Sequence, residues 1–142
     1  MRHIMVATDG SSGADRAVDV AAALAKAVGS DLSIVTVAGN LSGEEMRLLT
    51  RSEGNIGDVL ESLSAQILVA ASERARHLGV AKTKVQTAWG DPAEAVIEAA
   101  RREHADVIVV GRRGRGQLTG LLLGSVSQKL VSLAPCTVVV VP

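Results

Sequence analysis

A run of glycines and hydroxyl residues in the last third of the chain has the composition of a phosphate-binding loop. It extends from Gly111 to Ser125, follows an apolar run and precedes a helical pattern. Glycines such as Gly114 let a backbone approach a ligand because they carry no Cβ atom. At the far end, Gly124 and Ser125 open the helix, and the amides and positive dipole end of a helix N-terminus attract anions. The segment therefore predicts a phosphate cradle, with the hydroxyls of Ser125 and Ser127 as further donors.

Two better-known nucleotide motifs do not fit this loop. A Walker A loop continues with Lys and Ser or Thr after its last glycine, whereas Gln117 and Leu118 follow Gly116. A dinucleotide-binding fingerprint follows the first strand, whereas this loop comes after the fourth apolar run. A flexible surface loop remains the alternative. The arginines of the loop could meet phosphates, an acidic partner or only solvent: Arg112, Arg113 and Arg115.

The carboxylate of Asp9 is the second group that could do chemistry, because it directly follows the first apolar run. A carboxylate at such a place can accept hydrogen bonds from ribose hydroxyls or from the adenine amino group. The alternative is that Asp9 caps the first helix through the turn Gly10–Gly13. Asp9 stands two or three residues ahead of the expected cap, so we favour the ligand role.

Buried parallel strands must position these residues. Four Val- and Ile-rich runs scarcely alternate with polar residues, which is typical of strands covered on both faces: Ile4–Ala7, Leu32–Val37, Val107–Val110 and Val138–Val141. A fifth run, Ala81–Trp89, does alternate, with Val85 and Trp89 on one face and Lys84 and Gln86 on the other. We expect it to form an edge strand with one solvated side.

Helical spacing of apolar residues fills the gaps between these runs. Ser11 or Ser12 can cap the first helix, Asp91 followed by Pro92 opens the third, and Pro135 ends the fourth. The order β-α-β-α-β-α-β-α-β with right-handed crossovers predicts a three-layer α/β sandwich over residues 1–142, as a single domain. We expect a five-stranded parallel sheet in the order 3-2-1-4-5.

That strand order selects the site. In open α/β sheets, ligands bind at the carboxyl ends of the strands where the winding reverses, which here lies between the first and fourth strands. The loop that begins Thr8-Asp9-Gly10 should therefore face the loop that begins at Gly111. The polar stretch Gly39–Gly57, with a short helix expected around Glu44–Leu49, is either a flap over this crevice or a solvated connector.

Composition excludes several classes of function. The formal net charge is zero and Trp89 is the only aromatic residue, which argues against nucleic-acid binding. Cys136 is alone, so neither an intramolecular disulfide nor a cysteine-based metal site is predicted. The three histidines, His3, His77 and His104, are scattered. No apolar stretch approaches the ~20 residues of a membrane span, and we expect a cytoplasmic protein that binds no membrane.

The motifs together resemble those of a known family. The spacing Gly111-x2-Gly114-x9-Gly124-Ser125 is that of the ATP-binding signature of universal stress proteins. The opening Ile4–Ser11 and the closing Ala134–Pro142 are similar to the family's first and last strands. The resemblance covers essentially the whole chain and is weakest between residues 40 and 57. It implies the same α/β sandwich, of the adenine nucleotide alpha hydrolase-like type.

The resemblance also implies a ligand, ATP with or without Mg²⁺, and a set of contacts. Asp9 would contact adenine or ribose, Val37 would offer backbone atoms to the adenine edge, and Gly111 would lie against the ribose. The resemblance also implies two residues beside the adenine ring, Ala7 and Thr8. The residues that it implies at the phosphates are Arg112, Gly114, Gly124, Ser125, Val126 and Ser127. The arginine-rich segment that begins at Arg112 departs from the family pattern.

Function and assembly follow from the same resemblance. It implies a regulatory, ATP-binding homodimer in the stress response, paired through the apolar edge run Cys136–Val141. No catalytic residue is expected, because no Lys follows the loop and no second acidic residue accompanies Asp9. The alternatives are a slow ATPase, a protein that binds AMP or cyclic AMP on the same fold, and a dimeric interaction module with a vestigial pocket.

Overall fold

The computed structural model describes residues 1–38, 56–112 and 123–142. Within them the elements are β1 (His3–Ala7), α1 (Ser12–Val28), β2 (Asp31–Ala38), α2 (Ile56–His77), β3 (Thr83–Trp89), α3 (Pro92–Glu103), β4 (Val107–Gly111), α4 (Ser125–Leu133) and β5 (Thr137–Val141). The helix expected around Glu44–Leu49 and most of the suggested flap lie outside the described residues. Ile56 and Gly57, assigned to that flap, instead belong to α2.

The five strands form one parallel sheet in the order β3-β2-β1-β4-β5, which confirms the predicted topology. Central β1 pairs with β2 on one side and β4 on the other, so that Val6 lies opposite Ile34 and Val109. The apolar runs that scarcely alternate are therefore covered on both faces, as their composition predicted. The winding reverses between β1 and β4, which places the crevice between their carboxyl ends.

Two apolar layers hold the helices to the sheet. On one face, alanines of α1 and α2 pack against β1, β2 and β4, and Ala17 and Ala21 have no exposed surface. On the other face, Val96 of α3 and Leu130 of α4 pack against residues such as Ile108. Small side chains let the helix backbones approach the sheet closely. The aliphatic composition of the chain therefore suits the three-layer architecture.

The helix ends follow the capping rules that the sequence predicts. Of the two serines before α1, Ser11 is the cap, and its Oγ accepts a hydrogen bond from the amide of Ala14 at 3.2 Å. Asp91 caps α3 by accepting from the amide of Glu94 at 3.1 Å, which is the main reason that the pKa of Asp91 is lowered. No helix within the described residues is long and apolar enough to span a bilayer.

The edge position of β3 is confirmed, and exposed residues occur on both of its faces. Val85 and Trp89 are 45% and 53% exposed on one face. On the other, Gln86 Nε2 donates to Glu103 Oε2 at 2.8 Å, and Lys84 Nζ lies 3.0 Å from Glu103 Oε1. The side chain of Glu103, only 13% exposed, thus has polar partners, while the side chain of Lys84 remains 72% exposed.

Both ends of the described chain are tied to the sheet. At the amino edge, Asp106 Oδ2 accepts hydrogen bonds from the amides of Arg2 and His3 at 2.7 and 3.0 Å. These two bonds hold the pKa of the Asp106 carboxyl below its ordinary value. At the carboxyl edge, Arg16 Nε donates to the carbonyl of Pro142 at 2.9 Å. The first and last residues therefore lie at opposite ends of the parallel strands.

Candidate functional site

Hydrogen bonds among the described residues hold the turn between β1 and α1. The Thr8 amide donates to Val35 O at 2.9 Å, which extends the pairing of β1 with β2 by one residue. Thr8 Oγ1 accepts from the Gly10 amide at 3.1 Å, and Asp9 Oδ1 accepts from the Ser11 amide at 2.9 Å. Asp9 therefore shapes the turn before α1, while Ser11 caps the helix itself. The carboxylate of Asp9 is held at the carboxyl edge of the sheet.

Hydrogen bonds close the base of the glycine loop. The amide of Arg112 donates to Val141 O at 2.6 Å, and the carbonyl of Arg112 accepts from the Gly124 amide at 2.8 Å. The hydroxyl of Ser127 lies 2.8 Å from Arg112 O and 3.0 Å from Gly124 O. The two ends of the loop are thus fastened to each other and to β5. Gly114 and the rest of residues 113–122 lie outside the described residues.

The start of α4 differs from the starts of α1 and α3. Its N-cap is Gly124, which has no side chain to accept from the first amides, and its first turn contains no acidic residue. By contrast, α1 begins with Ser11 as its cap and Asp15 in the first turn, and α3 is capped by Asp91. No capping side chain or acidic residue in the first turn of α4 therefore offsets the positive end of the helix dipole. This end of the helix suits a bound anion.

A close approach of backbones brings the Asp9 turn to the glycine loop. A Cβ atom built on Gly111 would lie 3.1 Å from both the carbonyl carbon and the oxygen of Gly13, in the first turn of α1. Because Gly111 has no side chain, α1 can begin directly against the end of β4. From the sequence we explained Gly111 by the close approach of the backbone to a ligand. The structure adds the packing of α1 against β4 as a second reason for this glycine.

Gly111→Ala should therefore destabilise the fold. The added methyl group meets backbone atoms, which cannot move aside as a flexible side chain can, and overpacking of this kind costs about 1–3 kcal/mol. Urea unfolding would measure the change. Gly57→Ala is the matched control, because Gly57 lies exposed in the first turn of α2, where alanine favours a helix. Equal stability of the two variants would contradict the packing role of Gly111.

The remaining predicted site residues lie on the same side of the sheet or at its carboxyl edge. Ala7, Val37 and Val126 are partly buried and pack against the same apolar layer beneath α3 and α4. Thr8 is buried, and Ser125 is exposed at the start of α4. The structure thus brings the ends of β1, β2 and β4 and the first turn of α4 to one edge of the sheet.

Sequence reasoning missed two residues of this region. Gly13 meets Gly111, and the Val141 carbonyl anchors Arg112. Gly13 could have been suspected, since a glycine in the first turn of a helix has poor helix propensity and needs a reason. No pattern in the sequence indicates the bond from Arg112 to Val141, because it depends on the register of β4 with β5.

Comparison with known proteins decides the family. The model of the universal stress protein family matches residues 1–142. A universal stress protein of Thermus aquaticus is 38% identical over 145 residues, which cover 99% of this chain and 98% of that one. This chain belongs to the universal stress protein family. The resemblance drawn from the glycine spacing is confirmed at this level.

Solved structures of universal stress proteins share the fold and include nucleotide complexes. One that was solved in complex with cAMP has a TM-score of 0.78 and 29% identity, covering 99% of this chain and 97% of that one. The universal stress protein of Archaeoglobus fulgidus in complex with dAMP has a TM-score of 0.67 and 19% identity, covering 100% and 98% of the two chains. The second likeness supports the fold alone.

Proposed function

We propose that this universal stress protein binds ATP at the carboxyl edge of its sheet, between β1 and β4, and acts as a nucleotide-dependent regulator of the stress response in the cytoplasm. The observation that carries the proposal is the start of α4. Its N-cap is a glycine and its first turn has no acidic residue, and Gly111, where the preceding loop begins, lies against Gly13 in the first turn of α1. The cAMP complex of a family member at 29% identity supports an adenine nucleotide as the ligand.

The site has a polar end and an apolar end, which is what a nucleotide requires. The amides of Ser125 and Val126 and the Ser125 hydroxyl would take the phosphates, together with Gly114 and Arg112. The Gly124 amide is already bonded to Arg112 O, so Gly124 would line this end of the site without donating to phosphate. Asp9 would accept from the ribose or the adenine amino group. The backbone of Val37 would meet the adenine edge, and the other neighbours of base and ribose would be Ala7, Thr8 and Gly111.

A magnesium ion would reach this site with the nucleotide. Mg²⁺ keeps several waters and is commonly held by substrate phosphates with few protein ligands. The Ser125 hydroxyl is the protein group that fits this role, since it lies exposed at the start of α4. Within the described residues, no group of three or more His, Cys, Asp or Glu side chains could hold a metal ion without the nucleotide.

The identity of the ligand can be tested directly. The purified protein would be denatured and the released small molecules identified by mass spectrometry, followed by calorimetric titration of the emptied protein with ATP, AMP, cyclic AMP and adenosine, with and without Mg²⁺. We expect ATP to bind at least about tenfold more tightly than adenosine, because charge-assisted hydrogen bonds to phosphate are the stronger ones. Absence of binding by every nucleotide would reject the proposal in favour of an interaction module with a vestigial pocket.

Cyclic AMP is the second candidate ligand, and the complex of a family member at 29% identity favours it. Tighter binding of cyclic AMP than of ATP in the same titration would select it. We assign no residue to catalysis, and a slow ATPase remains the enzymatic alternative. Phosphate release from ATP well above background, lost in Asp9→Ala, would establish the enzyme.

We also propose that the protein forms a homodimer through the edge run Cys136–Val141. On the side of β5 away from β4, no strand of the described residues pairs with it. Val138, Val139 and Val140 of this strand are only partly buried within the chain. An unprotected apolar edge favours pairing with another chain. Sedimentation equilibrium should give about twice the chain mass of 14.6 kDa, and a monomer at every concentration would contradict the dimer.

A further inference from the structure

The hydroxyl of Ser127 is turned toward backbone carbonyls at the base of the glycine loop. Ser127 is 2% exposed, and its Oγ lies 2.8 Å from Arg112 O and 3.0 Å from Gly124 O. A hydroxyl carries one hydrogen, so it donates to one of these carbonyls or is shared between them. The hydroxyl therefore joins the residue after β4 to the residue that caps α4, across the two ends of the loop.

We propose that Ser127 is a positioning residue of the phosphate site, one that fixes the first amides of α4 toward the ligand without contacting phosphate itself. The inference rests on the proposed nucleotide site and changes one part of it, since the family resemblance gave the Ser127 hydroxyl to phosphate. Ser125, which is exposed, is then the serine whose hydroxyl meets the phosphate, and buried Ser127 holds the frame.

The geometry explains why this one hydroxyl matters. The Arg112 carbonyl accepts from both the Gly124 amide and Ser127 Oγ, while the Arg112 amide donates to Val141 O. The backbone of Arg112 is therefore held through both its amide and its carbonyl. Without the hydroxyl, the Gly124 amide at 2.8 Å is the remaining bond described between the two ends of the loop. A site that must be ordered at the moment of binding holds its ligand less tightly than one that is already in place.

Ser127→Ala tests the proposal through the difference between two ligands. We expect the affinity for ATP to fall about five- to tenfold, which corresponds to one lost hydrogen bond. The affinity for adenosine should stay the same, because adenosine has no phosphate to be positioned. Ser127→Thr keeps a hydroxyl and should restore the ATP affinity. Ser132→Ala, at an exposed serine of the same helix, is the matched control and should bind both ligands as the wild type does.

Hydrogen exchange gives a readout that does not depend on binding. In Ser127→Ala without ligand, the amide of Gly124, which is bonded to Arg112 O, should exchange faster, while the amides of β1 should not change. Unchanged exchange at Gly124, unchanged ATP affinity, or an equal loss for ATP and adenosine would each overturn the positioning role. If the wild type binds no nucleotide, the proposed function fails, and faster exchange at Gly124 would still support the structural link to Ser127.

Discussion

Replacing Ser125 with proline should lower the affinity for ATP at least about 100-fold, since it removes two donors to phosphate that are each worth at least about 1.5 kcal/mol. One donor is the side-chain hydroxyl, and the other is the first backbone amide of α4. The affinity for adenosine should be nearly unchanged, because the nucleoside does not reach the helix N-terminus. Calorimetric titration with both ligands measures the two effects on one preparation.

The fold should tolerate this proline. Ser125 is the first residue of α4, where proline is favoured because its fixed φ suits a helix. The preceding Gly124 has φ −75° and ψ 171°, which is the extended conformation that a following proline requires. Helix α3 of the same chain already begins in this way, with Asp91 as the cap and Pro92 as the first residue. The thermal midpoint should therefore remain close to that of the wild type.

Ser125→Ala separates the two donors. It removes only the hydroxyl, so the affinity for ATP should fall by about tenfold, between the wild type and the proline variant. A proline variant that binds ATP as the alanine variant does would show that the Ser125 amide does not contact phosphate. A proline variant that loses adenosine as well would show that the substitution damages the whole site.

Asp9→Ala should not discriminate between ATP and adenosine. Asp9 is proposed to accept hydrogen bonds from the nucleoside, so its loss should weaken ATP and adenosine alike, by about 10- to 100-fold for a charged acceptor. Asp9→Asn keeps an oxygen that can accept from the Ser11 amide but removes the charge, so it separates the turn from the ligand contact. Asp31→Ala changes an exposed aspartate at the opposite edge of the sheet and should leave both affinities unchanged.

The two outcomes for Asp9 have different meanings. If Asp9→Asn binds as the wild type does and Asp9→Ala does not, then the carboxylate acts by holding the turn, and its charge is not needed by the ligand. If both variants bind as the wild type does, Asp9 has no part in the site. A loss for ATP with no loss for adenosine would place Asp9 near the phosphates.

The sheet could be predicted from the sequence because its signals are local. The apolar runs that became β1, β2, β4 and β5 are short, rich in Val and Ile, and separated by helical spacing and capping residues such as Asp91. Strand order then follows from right-handed crossovers. The same order placed Asp9 and Gly111 at one edge, so the location of the candidate site was available before any coordinates.

What could not be predicted depends on contacts between distant elements. The alternation in β3 does not reveal that Lys84 and Gln86 would both find their partner in Glu103 of α3. A serine after a phosphate loop is predicted to bind phosphate, and only the coordinates show that the Ser127 hydroxyl is directed at Arg112 O. In each case a buried polar group found its partner on another element, which sequence spacing does not determine.

The bond between Arg112 and Val141 has a practical consequence for attaching a label or tag to the protein. Because β5 is parallel to β4, residues added after Pro142 would emerge beside Arg112, at the edge that carries the candidate site. Residues added before Met1 would emerge near Asp106, at the opposite edge, a strand length of about 15 Å away. An affinity tag, fluorophore or immobilisation linker at the amino end is therefore the choice that leaves the glycine loop and the β5 edge undisturbed.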